Sequence, residues 1–192
     1  MRQFKIDTER KTIWDLSQGK IYNIYRENDF YIGIVEPKVG IGLFDKQKEN
    51  IIIPPIYDWI AEPYKGIPNN RRLPFIISKN NRHGIALPNG TIAIDTIINY
   101  EEYVVYPDTY GEGFVAASQY KENICIGDPL CFLNNIGEQC TDFIYTAIRQ
   151  PFKGGKAIVT IGNNIIELDH DFNVIDSYCG VYYGFNDEKY YI

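Results

Sequence analysis

The run Pro63-Tyr64-Lys65-Gly66 returns as Pro151-Phe152-Lys153-Gly154 after 88 residues, and Pro107 stands midway between the two prolines. At the same shift Tyr57 meets Tyr145, Ile60 meets Ile148 and Ile56 meets Ile144; at half of it, 44, Ile60 meets Val104. A chain that repeats every ~20–50 residues is confined to arrays of one supersecondary unit, because a single copy cannot bury its own apolar face. The middle copy is the most worn, since Glu101 stands where the flanking copies carry tyrosine.

Each copy has the same internal order. A glycine turn follows the proline and leads into a β-rich run, namely Phe75-Ile76-Ile77, Phe114-Val115-Ala116-Ala117 or Ala157-Ile158-Val159-Thr160-Ile161. A polar turn, a short apolar run and a further turn complete the unit, as in Leu87-Pro88-Asn89-Gly90 and Asn134-Asn135-Ile136-Gly137. Short β-branched and aromatic runs broken by Gly, Asn and Asp read as antiparallel hairpins. No segment sustains helical apolar spacing over three turns; the best candidate, 142–150, is short and rich in β-branched and aromatic residues. The chain therefore reads as all-β: about four tandem antiparallel β-hairpin units stacked in a curved array, with a small four-bladed β-propeller as the alternative. The expectation is a single repeat domain over 1–192, with an N-terminal lead-in (1–27), degenerate repeats (28–180) and a C-terminal strand or tail (181–192).

Composition narrows the function classes. Nineteen basic and 25 acidic side chains give a net charge of −6, which disfavours a protein that tracks nucleic-acid phosphates. An apolar content of 45% and 28 aromatic residues (16 Tyr, 10 Phe, 2 Trp) are incompatible with disorder. Charges recur through Lys5, Asp7, Glu9, Arg10 and Lys11, so no signal-peptide core is visible, and no apolar run reaches a membrane-spanning length. A cytoplasmic protein with no membrane partner is expected. Cys125, Cys131, Cys140 and Cys179 form no CxxC pair and have no neighbouring His, so free, mostly buried thiols are expected, with no metal and no cofactor.

The unit resembles that of the WG-repeat family, bacterial proteins built from tandem β-rich repeats. The resemblance rests on Gly42-Leu43-Phe44-Asp45 followed by Ile53-Pro54 and Tyr57-Asp58-Trp59-Ile60. His83-Gly84 with Asn89-Gly90 is similar to a second copy, Leu133-Asn134 with Gly137 and Tyr145-Thr146-Ala147-Ile148 to a third, and 166–178 to a worn fourth. No copy keeps the Trp-Gly pair itself. The resemblance implies a scaffold and not a chemistry. Gly42, Gly84, Gly90 and Gly137 are expected where the backbone needs positive φ or close approach, the prolines at strand starts or edges, and Tyr57 and Tyr145 in the core.

No catalytic constellation stands out. None of Ser17, Ser78, Ser118 and Ser177 lies in a nucleophile elbow beside His83 or His170. Asp169-His170-Asp171 falls where a turn is expected, and Gly154-Gly155-Lys156 lacks the glycine spacing of a phosphate loop. An enzyme acting through Cys179 or His170 is the third reading; no catalytic residue is assigned.

Two stretches combine Tyr with carboxylates, 100–112 and 182–191. Tyrosine offers large contact area at low rotamer cost, and flanking carboxylates complement a basic partner. The expected partner-binding residues are Tyr103, Tyr106, Asp108, Tyr110, Glu112, Asp187 and Glu188. Arg71-Arg72 reads as a solubilising loop. The leading expectation is a non-catalytic protein-binding module, most concretely a small acidic inhibitor of immunity type that occludes a basic surface of a toxin or nuclease. A carbohydrate- or cell-wall-binding aromatic repeat is the alternative.

Overall fold

The computed structural model describes residues 3–61, 74–121 and 128–179. Among them there is no helix, and so none long and apolar enough to cross a membrane. The strands are β1 (Phe4–Asp7), β2 (Thr12–Asp15), β3 (Lys20–Glu27), β4 (Tyr31–Glu36), β5 (Gly40–Asp45), β6 (Asn50–Tyr57), β7 (Trp59–Ala61), β8 (Phe75–Lys79) and β9 (Arg82–Ala86). They continue as β10 (Ile92–Asn99), β11 (Tyr103–Gly111), β12 (Phe114–Gln119), β13 (Leu130–Leu133), β14 (Ala147–Lys153), β15 (Lys156–Ile161), β16 (Asn164–Asp169) and β17 (Val174–Cys179). Four antiparallel meanders result: β1 to β6, β7 to β10, β11 to β13 and β14 to β17. The fold is all-β and built of tandem antiparallel units, as the spacing predicts. Residues 1–27, expected as a lead-in, supply three strands of the first sheet.

The period survives in register. Strands β7, β11 and β14 begin at Trp59, Tyr103 and Ala147, equally spaced by 44 residues, and these pair with Ser78, Gln119 and Thr160 of the next strand. An Asp or Asn that follows an apolar residue, in Phe44-Asp45, Leu133-Asn134 and Leu168-Asp169, closes a hairpin through its side chain. Asp45 Oδ1 accepts from the amides of Gln47 and Lys48 (2.8 and 2.9 Å), and Asn134 Oδ1 from Ile136 and Glu138 (3.1 and 2.9 Å). Asp169 Oδ1 does the same for Asp171 and Asn173 (2.9 and 2.8 Å). Short polar side chains that satisfy nearby amides give the turn a partner of its own. The prolines lie at edges: Pro54 and Pro55 in β6, Pro107 in β11 and Pro151 in β14 are in terminal strands of their sheets, beside register shifts that absorb the missing N–H. Pro63 and Arg71-Arg72 lie outside the described residues.

The chain divides into two compact units, Met1–Thr96 and Ile97–Ile192. In the first, strand alternation sorts apolar side chains onto two faces. Ile13, Tyr22, Ile32, Ile34 and Phe44 form one cluster, capped by Phe4 edge-on to Phe44 (5.3 Å between ring centroids). Tyr31, Leu43, Ile53 and Tyr57 face the other way and pack with Ile60, Phe75 and Ile77, Tyr31 meeting Phe75 edge-on at 5.2 Å. In the second unit the core is aromatic. Phe132, Tyr145 and Phe152 are buried with Ala157, Val159 and Leu168, and Phe114 and Phe172 close the cluster.

Candidate functional site

The second unit has an open groove of about 300 Å³ where β11 begins, lined by Glu101, Glu102, Tyr103, Gln119, Tyr120, Gln139 and Phe143. Repeat register accounts for it. Positions 57, 101 and 145 are equivalent, each two residues before its strand, and Tyr57 and Tyr145 are buried at 4% and 3% exposure. Position 101 holds an exposed glutamate instead, so the middle copy places a carboxylate at the surface where its neighbours place a ring in the core. Tyr103 then starts β11 paired with Gln119, and the Tyr120 amide donates to the Glu102 carbonyl (2.8 Å), which folds Tyr120 back beside the carboxylates.

The groove is pre-formed by a chain of polar contacts. The Tyr103 hydroxyl donates to Gln139 Oε1 (3.3 Å), and Gln139 Nε2 donates to the Thr141 carbonyl (2.8 Å), which sets the amide's orientation. The Tyr103 and Phe143 rings lie nearly parallel, 20° apart with centroids 6.3 Å apart. Asn99 Nδ2 donates to Glu102 Oε1 (3.0 Å). Burial, followed by the influence of Cys131 and Glu102, holds the Tyr103 hydroxyl above its ordinary pKa, so it is a neutral donor at pH 7. Among the described residues no Lys, Arg or His lines the groove.

The other expected residues have different surroundings. The half-buried Tyr106 places its hydroxyl 3.2 Å from the oxygen of buried Ser118, an internal contact. Asp108 is exposed on β11 and Tyr110 half-buried. Glu112 is a staple: its carboxylate accepts from the amides of Gly154 (2.7 Å) and Gly155 (3.0 Å) in the β14–β15 turn, and His170 Nε2 stands 2.9 Å from Oε2. One exposed side chain thus ties three hairpin turns together. Asp187 and Glu188 lie outside the described residues.

These bonds, first the Gly155 and Gly154 amides and then His170, hold the Glu112 carboxyl below its ordinary value of 4.5. A depressed folded pKa contributes stability that is complete above the unfolded value and is lost as pH falls through the folded one. We therefore expect Glu112→Gln to unfold at a lower temperature than the wild type at pH 6, with the two curves converging as the pH drops below 4.5. Thermal scans across that range test this, and a constant gap down to pH 3 would remove the staple from the pH response.

Among the described residues no cluster of His, Cys, Asp and Glu could hold a metal ion. His170 sits in the β16–β17 turn, against Phe152 (5.0 Å) and Phe114 (5.7 Å), whereas Cys179 ends β17 opposite Asn164. They occupy opposite ends of one hairpin and form no nucleophile–base pair. The expectation of mostly buried thiols holds only for Cys131, whose thiol burial pushes up to about 12; Cys140 and Cys179 are exposed. Cys125 lies outside the described residues.

Tyr120, Gln139 and Phe143 are not among the residues expected to bind. The available signal is Glu101, whose break with the repeat marks the copy that has stopped filling its core position.

A family model described as WG containing repeat matches residues 41–67, the segment that opens with the Gly42-Leu43-Phe44-Asp45 step. That segment is similar to the repeat, and the chain around it is a scaffold of tandem antiparallel β units. No curated protein matches it in sequence. Among solved structures it is similar to the computationally designed Ika8 protein, at 8% identity and a TM-score of 0.34, covering 87% of this chain and 55% of that one. It is also similar to Hsv2p of Kluyveromyces lactis, at 12% identity and a TM-score of 0.38, covering 94% and 64%. The chain thus spans 55% and 64% of the length of these structures, and both are too remote to inform the site.

Proposed function

We propose that this chain is a non-catalytic protein-binding module and that the groove at Glu101, Glu102, Tyr103, Tyr120 and Phe143 is where it engages a basic partner. The observation that carries the reading is the exchange of a buried repeat tyrosine for exposed Glu101 beside three aromatic rings. A scaffold under stability constraints alone keeps its core position, and departures from local rules concentrate at functional sites. Aromatic rings give anchor area at small entropic cost, and unneutralised carboxylates steer a cationic surface into register. Exposed Asp108, on the same edge strand, is proposed as an outlying contact. The most concrete form of the reading is a small acidic inhibitor of immunity type that covers the basic surface of a toxin or nuclease, burying on the order of 1,600 Å² in all.

The test is affinity capture with the full chain, run beside a Tyr103→Ala, Phe143→Ala variant with an unchanged thermal midpoint. A basic protein held by the wild type at low salt, lost from the variant and released as salt rises, is the expected result. The same proteins retained by both would sink the reading. The groove's mixture of rings, carboxylates and an amide also suits sugar stacking, which gives the carbohydrate alternative its one specific support.

A further inference from the structure

We infer that the groove is built to hold the guanidinium group of an arginine side chain. The inference rests on the protein-binding reading above and specifies the chemistry of its contact. Charge comes first: Glu101 and Glu102 line the groove with no cation among its described lining residues, so an arriving cation meets two carboxylates there. Glu102 is held in direction by the Asn99 amide (3.0 Å), which removes part of the entropy an exposed glutamate loses on pairing.

Shape comes second. The walls are flat: Tyr103 and Phe143 lie 20° from parallel, and Tyr120 stands exposed beside them. Tyr103 cannot swing freely because its hydroxyl is tied to Gln139 and, through that amide, to the Thr141 carbonyl. A guanidinium is planar and weakly hydrated and carries five donors in a rigid fork, so it stacks on such a wall while pairing sideways with a carboxylate. A lysine ammonium is compact and strongly hydrated and would use the charge but not the flat wall. A cavity of about 300 Å³ is at the small end for a ligand pocket and suits one long side chain. A neutral sugar would use the rings but gain little from two adjacent carboxylates.

The experiment is a nitrogen-15 and aromatic-carbon NMR titration of the full chain with hexa-arginine, hexa-lysine and chitotetraose at fixed ionic strength. Hexa-arginine is expected to shift Tyr103, Tyr120 and Phe143 and to bind about fivefold or more tighter than hexa-lysine. A Glu101→Gln, Glu102→Gln variant is expected to weaken hexa-arginine about tenfold, while Glu9→Gln with Glu49→Gln, which removes the same charge elsewhere, changes it less than about twofold. Equal affinity for the two peptides, with the groove variant still weakened, would overturn the arginine assignment and leave the basic-partner reading standing. Peptide binding indifferent to the groove variant, or absent, would overturn both. Chitotetraose shifting the same rings while the peptides do not would hand the groove to carbohydrate.

Discussion

Replacing Phe132 by alanine is expected to cost the second unit about 4 kcal/mol, a large share of the 5–15 kcal/mol that typically separates a folded domain from its unfolded chain. Phe132 is fully buried in β13, and its ring centroid lies 5.4 Å from Tyr145, 5.4 Å from Phe152 and 5.5 Å from Phe172. Those rings are themselves fixed: Phe114 meets Phe152 at 4.9 Å and Phe172 edge-on at 5.2 Å. Truncation removes a ring from a set of planar neighbours that cannot flow into the space, so the cavity persists and adds to the lost transfer energy. Urea denaturation followed by far-ultraviolet circular dichroism reads the loss. Both tryptophans, Trp14 and Trp59, lie in the first unit and report on that unit alone. A loss below about 1.5 kcal/mol would mean that the aromatic cluster is looser than its geometry implies.

The same cluster shows what could be read from the sequence. Strand starts at Trp59, Tyr103 and Ala147 follow the 44-residue period because turn chemistry is local: an Asx side chain, a glycine and a proline each act within a few residues. Core tyrosines at 57 and 145 were legible for the same reason. The groove was only half legible. Glu101, Glu102 and Tyr103 are consecutive, but Gln139 and Phe143 reach it from the connection between β13 and β14, over a distance that no local pattern encodes. Tyr106 and Glu112 illustrate the opposite difficulty. Tyrosine and glutamate serve interfaces and internal networks equally well, and only the placement of Ser118 and of the Gly154-Gly155 turn gives these two internal partners. The strands within 1–27 have no counterpart in the repeat spacing, so periodicity could not announce them.

Gly84→Ala is expected to destabilise the first unit by about 3 kcal/mol, at the upper end of overpacking costs. On general grounds the opposite sign is available, since alanine restricts the unfolded chain and can add about 0.4–1 kcal/mol where the backbone tolerates it. Gly84 does not need left-handed φ, so its dihedrals would accept a side chain; space decides instead. A Cβ there would stand 2.5 Å from the Ile94 carbonyl oxygen and 2.6 Å from that of Asp95 in β10. Gly42 has the same relation to β6, with the Ile53 oxygen at 2.6 Å and the Pro55 nitrogen at 2.7 Å. The neighbours are backbone atoms in a paired strand, so no rotamer change relieves the overlap, and strand pairing must shift. That is the physical content of the repeat glycine: it admits the backbone of the following strand. Trp59, 6.4 Å from the His83 ring beside it, supplies a local fluorescence readout of urea unfolding. An unchanged or raised midpoint in Gly84→Ala would show that β10 yields readily, and the glycine of the unit would then need an explanation other than close approach.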